Sequence, residues 1–528
     1  MHLLNHYARR LSVPGSVRAL QATRHLGADS TRGTHRVYFS SVACLMCVAL
    51  VGCGTSPPPP AVPQPVSKKT TPRAAKPAAT ANQPESPPAE PPTITPTVAS
   101  DNQKFARTIH RPNDSRPLRD DLKLAARGFV RVSSKRLVLY SDLPVQELEG
   151  LSAAVDQLYA LLEEYFGPLP PDSQNTPYQM SGYLMADAER FRDAGILSEG
   201  PAQPHEGWYL GNEFWWNRQA TPYYTRHLML HEATHCFMHV MPAVDCPPWY
   251  VEGMAELFGT HLRDDKGNYT FGILPDSPDR CPGWSRVSVL QDEIAAGKMP
   301  AVDQILAYKF SDYAQLPPYA WSWALCHFLN THPRYQVPFR ELAKRVMDGG
   351  FIPLASQLFQ PHRLDLHDEW LLFASQIQYL HDIERSVIEF RPGVELASPG
   401  KATTATISAE RGWQSTRVKL IAGKQYRVRA TGRFTLAKTT KPWISEPQGI
   451  SIRYFAGQPL GRLMGLIRPD PATNSTNRDI LKLIPLGPDT TFLAPHGGTL
   501  YLRLNDAWNQ LADNSGEIRV EMELVGDR

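Results

Sequence analysis

Charge is scarce and evenly signed in this 528-residue chain: 20% of residues are Asp, Glu, Lys or Arg, and the formal net charge is +3. A nucleic-acid partner calls for a concentrated basic surface, so the composition excludes one. Cysteine is sparse too, seven in all, which excludes a disulfide-dense scaffold. Apolar runs are short. The pronounced one near the N-terminus, residues 41–51, has eleven residues where a helix needs about 20 to cross a hydrocarbon core.

Proline, by contrast, is abundant: 48 residues, about 9% of the chain against a usual ~5%. Fourteen of them fall between Pro57 and Pro96, among Ala, Thr, Ser and Gln with almost no large apolar side chain. Such a stretch cannot offset its ordering entropy, and residues 54–121 are expected to form a disordered, extended spacer. Ahead of it, residues 1–53 carry six arginines before the apolar run and one acidic residue, Asp29. Basic residues followed by a short apolar segment read as an export signal. Leu50-Val51-Gly52-Cys53 resembles the bacterial lipobox, which implies an exported lipoprotein held on a periplasmic or cell-surface membrane through a lipid on Cys53. Four cysteines remain beyond it, Cys236, Cys246, Cys281 and Cys326. Cys246 and Cys281 both neighbour prolines in loop-like sequence and are the preferred pair for a disulfide; Cys236 and Cys326 lie in apolar helical runs and read as free thiols.

Residues 122–390 read as one α+β domain. Residues 129–132 and 136–140 have strand patterning; residues 146–166 place Leu148, Leu151, Val155, Leu158 and Leu162 on one helical face. Residues 178–184 and 208–216 are further strand candidates. A helix expected over residues 221–240 then contains His231-Glu232-Ala233-Thr234-His235. Positions i and i+4 share a helix face, so two imidazoles can grip one Zn2+ while Glu232 addresses its water. A catalytic zinc site takes three protein ligands and an open position. Fourteen residues after His235 begins a second helical stretch, Trp249-Tyr-Val-Glu252-Gly-Met-Ala-Glu256-Leu-Phe258, with Pro247 and Pro248 ahead of it.

Together these two stretches resemble the gluzincin clan of zinc metallopeptidases, most closely the bacterial peptidase-MA-like domains, with a thermolysin-like catalytic fold. The resemblance implies His231, His235 and Glu252 as zinc ligands, Glu232 as general base, and Glu256 as an acceptor orienting a ligand imidazole. A three-histidine arrangement is excluded, since it needs Gly at Met238 and His at Met241. Tyr319, opening a later helix, is the candidate donor to the developing oxyanion, with His327 in reserve. The aromatic run Trp208, Tyr209, Phe214, Trp215, Trp216 lies where this clan lines its cleft, although packing explains most of those rings.

From residue 395 to 528 the pattern changes to short strands and turns, a β-sandwich signature. Its end, Leu500-Tyr-Leu-Arg-Leu-Asn505-Asp506 followed by Asp513-Asn514-Ser515-Gly516, resembles the calcium-dependent galactophilic bacterial lectins of the PA-IL type. That resemblance implies Asp506, Asp513 and Asn514 as Ca2+ ligands, with main-chain oxygens near Gln510 and Leu436. The sugar-contacting side chains of those lectins have no match in residues 446–454. The expected protein is therefore an exported zinc metallopeptidase acting on peptides or proteins, tethered to a membrane and carrying a module for a glycan. The alternative is a surface carbohydrate-binding lipoprotein whose zinc domain is inert or serves another reaction.

Overall fold

The computed structural model describes residues 109–198, 206–396, 398–470 and 478–526. Cys53 and the proline-rich stretch at 57–96 lie outside them. The last dozen residues of the expected spacer, 109–120, are described and pack on the domain. Arginines dock them. Arg111 is buried against Asp172 at 3.4 Å, and Arg119 reaches the Tyr183 hydroxyl at 3.0 Å and Glu213 at 3.2 Å. The cationic heads find partners in the domain while the stems cover it, which a pattern search for apolar residues does not register.

The chain continues through α1 (Asp121–Ala126), β1 (Val130–Ser133), β2 (Leu137–Ser141), α2 (Leu151–Phe166), β3 (Met180–Met185), α3 (Ala188–Asp193), β4 (Gly207–Leu210) and β5 (Glu213–Asn217). The helix expected from residue 146 starts later because Gly150, at φ 78°, interrupts it. The strand expected over 208–216 is a hairpin, turned at Gly211 with φ 62°. These strands form one sheet in the order β1-β2-β3-β5-β4, parallel at β2-β3 and β3-β5 and antiparallel at both edges. Both faces are covered, so β2 and β3 are buried along their whole length, Ser141 and Ser181 included. Leu137, Leu139, Met180, Phe214 and Trp216 face the helices. Tyr140, Tyr183 and Trp215 face the other way and stack in series with Trp208.

Helices follow: α4 (Pro222–Val240), α5 (Pro248–Gly259), a hairpin of β6 (His261–Arg263) and β7 (Tyr269–Phe271), then α6 (Arg286–Ala295), α7 (Val302–Leu306), α8 (Leu316–Thr331), α9 (Gln336–Lys344), α10 (Phe351–Phe359), α11 (Arg363–Ala374) and α12 (Ile383–Ser386). Gly253 is what lets α5 lie against α8. A Cβ there would meet Cys326 Sγ at 2.6 Å and the Ser322 carbonyl oxygen at 2.7 Å. The pairing of Cys246 with Cys281 is not found; all four cysteines are buried free thiols.

The C-terminal region comprises β8 (Val394–Glu395), β9 (Thr403–Ser408), β10 (Gln414–Leu420), β11 (Gln425–Thr431), β12 (Phe434–Ala437), β13 (Trp443–Ser445), β14 (Ile450–Phe455), β15 (Gln458–Leu460), β16 (Leu463–Arg468), β17 (Ile484–Pro485), β18 (Asp489–Leu493), β19 (Gly498–Leu504) and β20 (Glu517–Leu524). Two sheets, β17-β16-β19-β10-β8 and β18-β11-β20-β9, face each other across a core that includes Val418, Val428, Leu502 and Val520.

This β-region does not stand apart from the helices. Trp413, Met464, Tyr501, Trp508 and Leu511 belong to the same buried cluster as α2, α4, α5 and α8. Trp508 donates its indole N–H to Gln376 at 2.7 Å, accepts from the Asp382 amide at 3.1 Å, and stacks on His381 at 5.3 Å. Arg468 grips Asp365 and Asp368 on α11 at 2.6 and 2.7 Å.

Burial makes His381 hard to protonate and lowers its pKa to about 3, from an ordinary 6.5. The folded protein therefore leaves it neutral where the unfolded chain charges it, and stability held above pH 6.5 is lost as pH falls toward 3, at about 1.4 kcal/mol per unit at most. His381→Phe is expected to flatten that part of the denaturation midpoint-against-pH curve; an unchanged slope refutes the assignment.

Candidate metal centre

Two helices bring the site together. Thr221 caps α4, its hydroxyl accepting from the Tyr224 amide at 3.2 Å, with Pro222 at the first position. Pro247 and Pro248 start α5 in the same fashion, a residue order suited to a first helical turn. Both helices are buried on nearly all sides. His231 and His235 lie on one face of α4, and Glu252 meets them from α5.

The three side chains converge on one point. His231 Nε2 and His235 Nε2 are 3.0 Å apart, and Glu252 Oε2 is 3.5 Å from the first and 3.3 Å from the second. Three donors bound tetrahedrally at 2.0–2.1 Å would sit about 3.3 Å from one another. The triangle of side-chain atoms therefore already has the dimensions of a metal's coordination face. Burial works to raise the Glu252 carboxyl, but His235 and His231 beside it outweigh that effect and bring it down to about 2.

A second carboxylate stands behind the first. Glu256 Oε1 lies 3.5 Å from His231 Nδ1, and Oε2 lies 3.4 Å from His227 Nε2. Arg286 on α6 grips both oxygens, at 2.7 and 3.0 Å, and the pair is almost wholly buried. Burial pulls the Glu256 carboxyl upward, yet Arg286 and then His227 hold it well below its ordinary range. His227, His231 and Glu256 also cluster closely enough to suggest a metal set. Both Glu256 oxygens accept from Arg286, and they lie beside His231 Nδ1 and His227 Nε2 without a hydrogen bond to either.

Glu232 is buried and outside the triangle. Burial pushes its carboxyl up to about 8; His235 opposes the rise while Glu252 and Glu256 add to it. It packs against the edge strand β4, where a Cβ on Gly207 would stand 2.8 Å from its Oε1. Tyr209, on the same strand, stacks on His235 with ring centroids 4.9 Å apart. Tyr319, at the start of α8, has its ring 6.1 Å from that of His231, and burial followed by the repulsion of Glu252 and Glu232 raises its hydroxyl pKa, keeping it a neutral donor. His327 stacks on Trp323, and among the described residues no ion pair or ring contact joins it to this cluster. Phe214 and Trp216 pack in the core.

Arg286 and Gly207 carry no motif that marks them in the sequence, whereas Tyr209 belongs to the aromatic run at 208–216. His227 did show one: it is the first rung of the i, i+4 ladder that runs through His231, His235 and His239.

The expected calcium ligands Asp506, Asp513 and Asn514 lie on the 506–514 loop. Asp506 and Asn514 are buried together, but Asn514 donates its amide to Asp506 Oδ2 at 3.0 Å and the Ala507 amide donates to Oδ1 at 2.7 Å. Asp513 is partly exposed on a short 3-10 turn. Within the loop, Trp508 and Asn509 pack on the helical region.

No protein-family model matches the chain, and no curated protein does. A solved structure described as "EclA N-terminal domain; PllA-like lectin" aligns at 22% identity, covering 23% of this chain and 94% of its own, with a TM-score of 0.18.

Proposed function

We propose that this protein is a zinc-dependent peptidase, and the observation that carries the proposal is the coordination-sized triangle of His231, His235 and Glu252. Two imidazole nitrogens and one carboxylate oxygen form the donor set that zinc hydrolases use. Zinc held there would acidify a bound water and polarise a substrate carbonyl. Glu232 takes the proton of the attacking water and returns it to the leaving amine nitrogen. Tyr319, kept neutral, donates to the oxygen on which negative charge develops. Glu256, clamped by Arg286, holds the His231 imidazole by its Nδ1 side and so fixes the direction of Nε2.

Carbohydrate binding by the sandwich has less in its favour. The two Asp506 oxygens are engaged by Asn514 and Ala507, so the proposal assigns the 506–514 loop to packing and gives calcium and glycans no part.

The reading of Cys53 as a lipid anchor belongs to the same proposal: no helix among the described residues is long and apolar enough to cross a membrane, and the expected spacer would hold the catalytic region off a surface. Cys53→Ser is expected to move the protein from the membrane fraction to the soluble fraction in cells that make it. Retention on the membrane would sink the anchor and leave the peptidase reading untouched. The peptidase itself is tested by the substitution argued in the Discussion.

A further inference from the structure

On the side of α5 and α8 away from the metal centre, α7, α8, α9, α10 and α11 enclose a cavity of about 330 Å³ that the proposed chemistry does not use. Its wall is apolar: Trp249, Leu325, Leu329, Leu342, Phe351 and Leu366 line it. A core close-packed to ordinary density leaves few voids larger than a water, and this volume falls within the range of small-molecule sites. The polar groups gather on α11 and its approaches. His367 has its Nε2 buried with no hydrogen-bond partner, and Arg363, one turn before it, makes no ion pair among the described residues. Gln360 and the exposed Asp303 complete the polar end; Asp303 is its one carboxylate. The nearby Asp368 is committed to Arg468.

An apolar pocket with a small number of placed polar groups is the usual form of a ligand site. We propose that this cavity binds a single-chain anionic amphiphile of medium length, a fatty acid of about ten carbons, with its chain among the leucines and its carboxylate on Arg363 and the His367 Nε2. A two-chain lipid does not fit the volume. A free cationic amphiphile would meet an unpaired guanidinium.

The test uses the zinc-loaded protein and decanoate, below its micellar concentration, followed by calorimetry. Saturable binding at one per chain is expected. Leu329→Trp, which fills the cavity from α8, and Ala355→Phe, which fills it from the half-buried side of α10, are each expected to abolish it with zinc content unchanged. Should one of them fail to fold, the other decides. Arg363→Ala is expected to weaken decanoate about tenfold, the size of a lost charge-assisted contact, and to leave decanol unaffected. Absence of saturation in the unaltered protein, or binding that survives the filled variants, overturns the site. Decyltrimethylammonium or decanol binding as tightly as decanoate overturns the anionic head.

Discussion

Glu232→Gln is expected to keep one zinc per chain while lowering kcat/KM for peptide hydrolysis by about 10²- to 10⁴-fold, the contribution of a positioned general base. The amide has the shape of the carboxylate and fits the same place beside Gly207. It cannot accept the proton of the attacking water. Glu232 contributes no atom to the triangle of His231, His235 and Glu252, so the metal should stay. His231→Ala, by contrast, should lose it. Elemental analysis of the purified chain and turnover of a broad peptide library measure the two properties separately. Loss of zinc in Glu232→Gln, or an unchanged rate, contradicts the assigned role. An unaltered protein that holds zinc and cleaves nothing in the library would favour a metal-dependent surface protein of another kind.

Arg286→Met has the largest expected effect on stability. Glu256 and Arg286 are each within a few per cent of complete burial, and removing one partner of a buried pair typically costs about 3–5 kcal/mol because the other charge is left uncompensated. Glu256 escapes by taking up a proton, since the guanidinium that held its carboxyl down is gone. A protonated Glu256 serves His231 poorly, and zinc affinity should fall about 10- to 100-fold, the usual consequence of losing a group that orients a ligand imidazole. The double substitution Arg286→Met with Glu256→Gln removes the stranded charge. It should recover most of the denaturant midpoint of the zinc-free protein without recovering zinc affinity. Equal recovery of both, or loss of neither, would show that the pair only packs.

The elements of the candidate site were legible in the sequence to the extent that their geometry is local. The i, i+4 spacing of His231 and His235 fixes a shared helix face, while Glu252 was named only through the resemblance carried by the second helical stretch at 249–258. Arg286 was not legible. Its role comes from α6 crossing Glu256 thirty residues later in the chain, which no periodicity records. Tyr209 and Trp215 were read together as aromatic strand residues, yet the alternation of β4 and β5 sends one toward His235 and the other to the opposite face of the sheet. The strand pattern beyond residue 395 revealed a sandwich but not its attachment. Trp413 and Trp508 lie between strands, where an apolar residue carries no periodic mark, and they are the ones that enter the helical core.

That attachment sets an order of events. Ribosomes release a chain from its N-terminus, and domains usually fold as they emerge. Here the helices around the candidate triangle share their core with Trp508 and Leu511, which are synthesised after all of them. His231 and His235 thus emerge some 270 residues ahead of side chains needed to finish packing around them. A chain truncated before residue 508 leaves Gln376, His381 and Asp382 facing water and the core open on that side. The hydrolysis proposed for this site would then have to wait until Trp508 and Leu511 are in place.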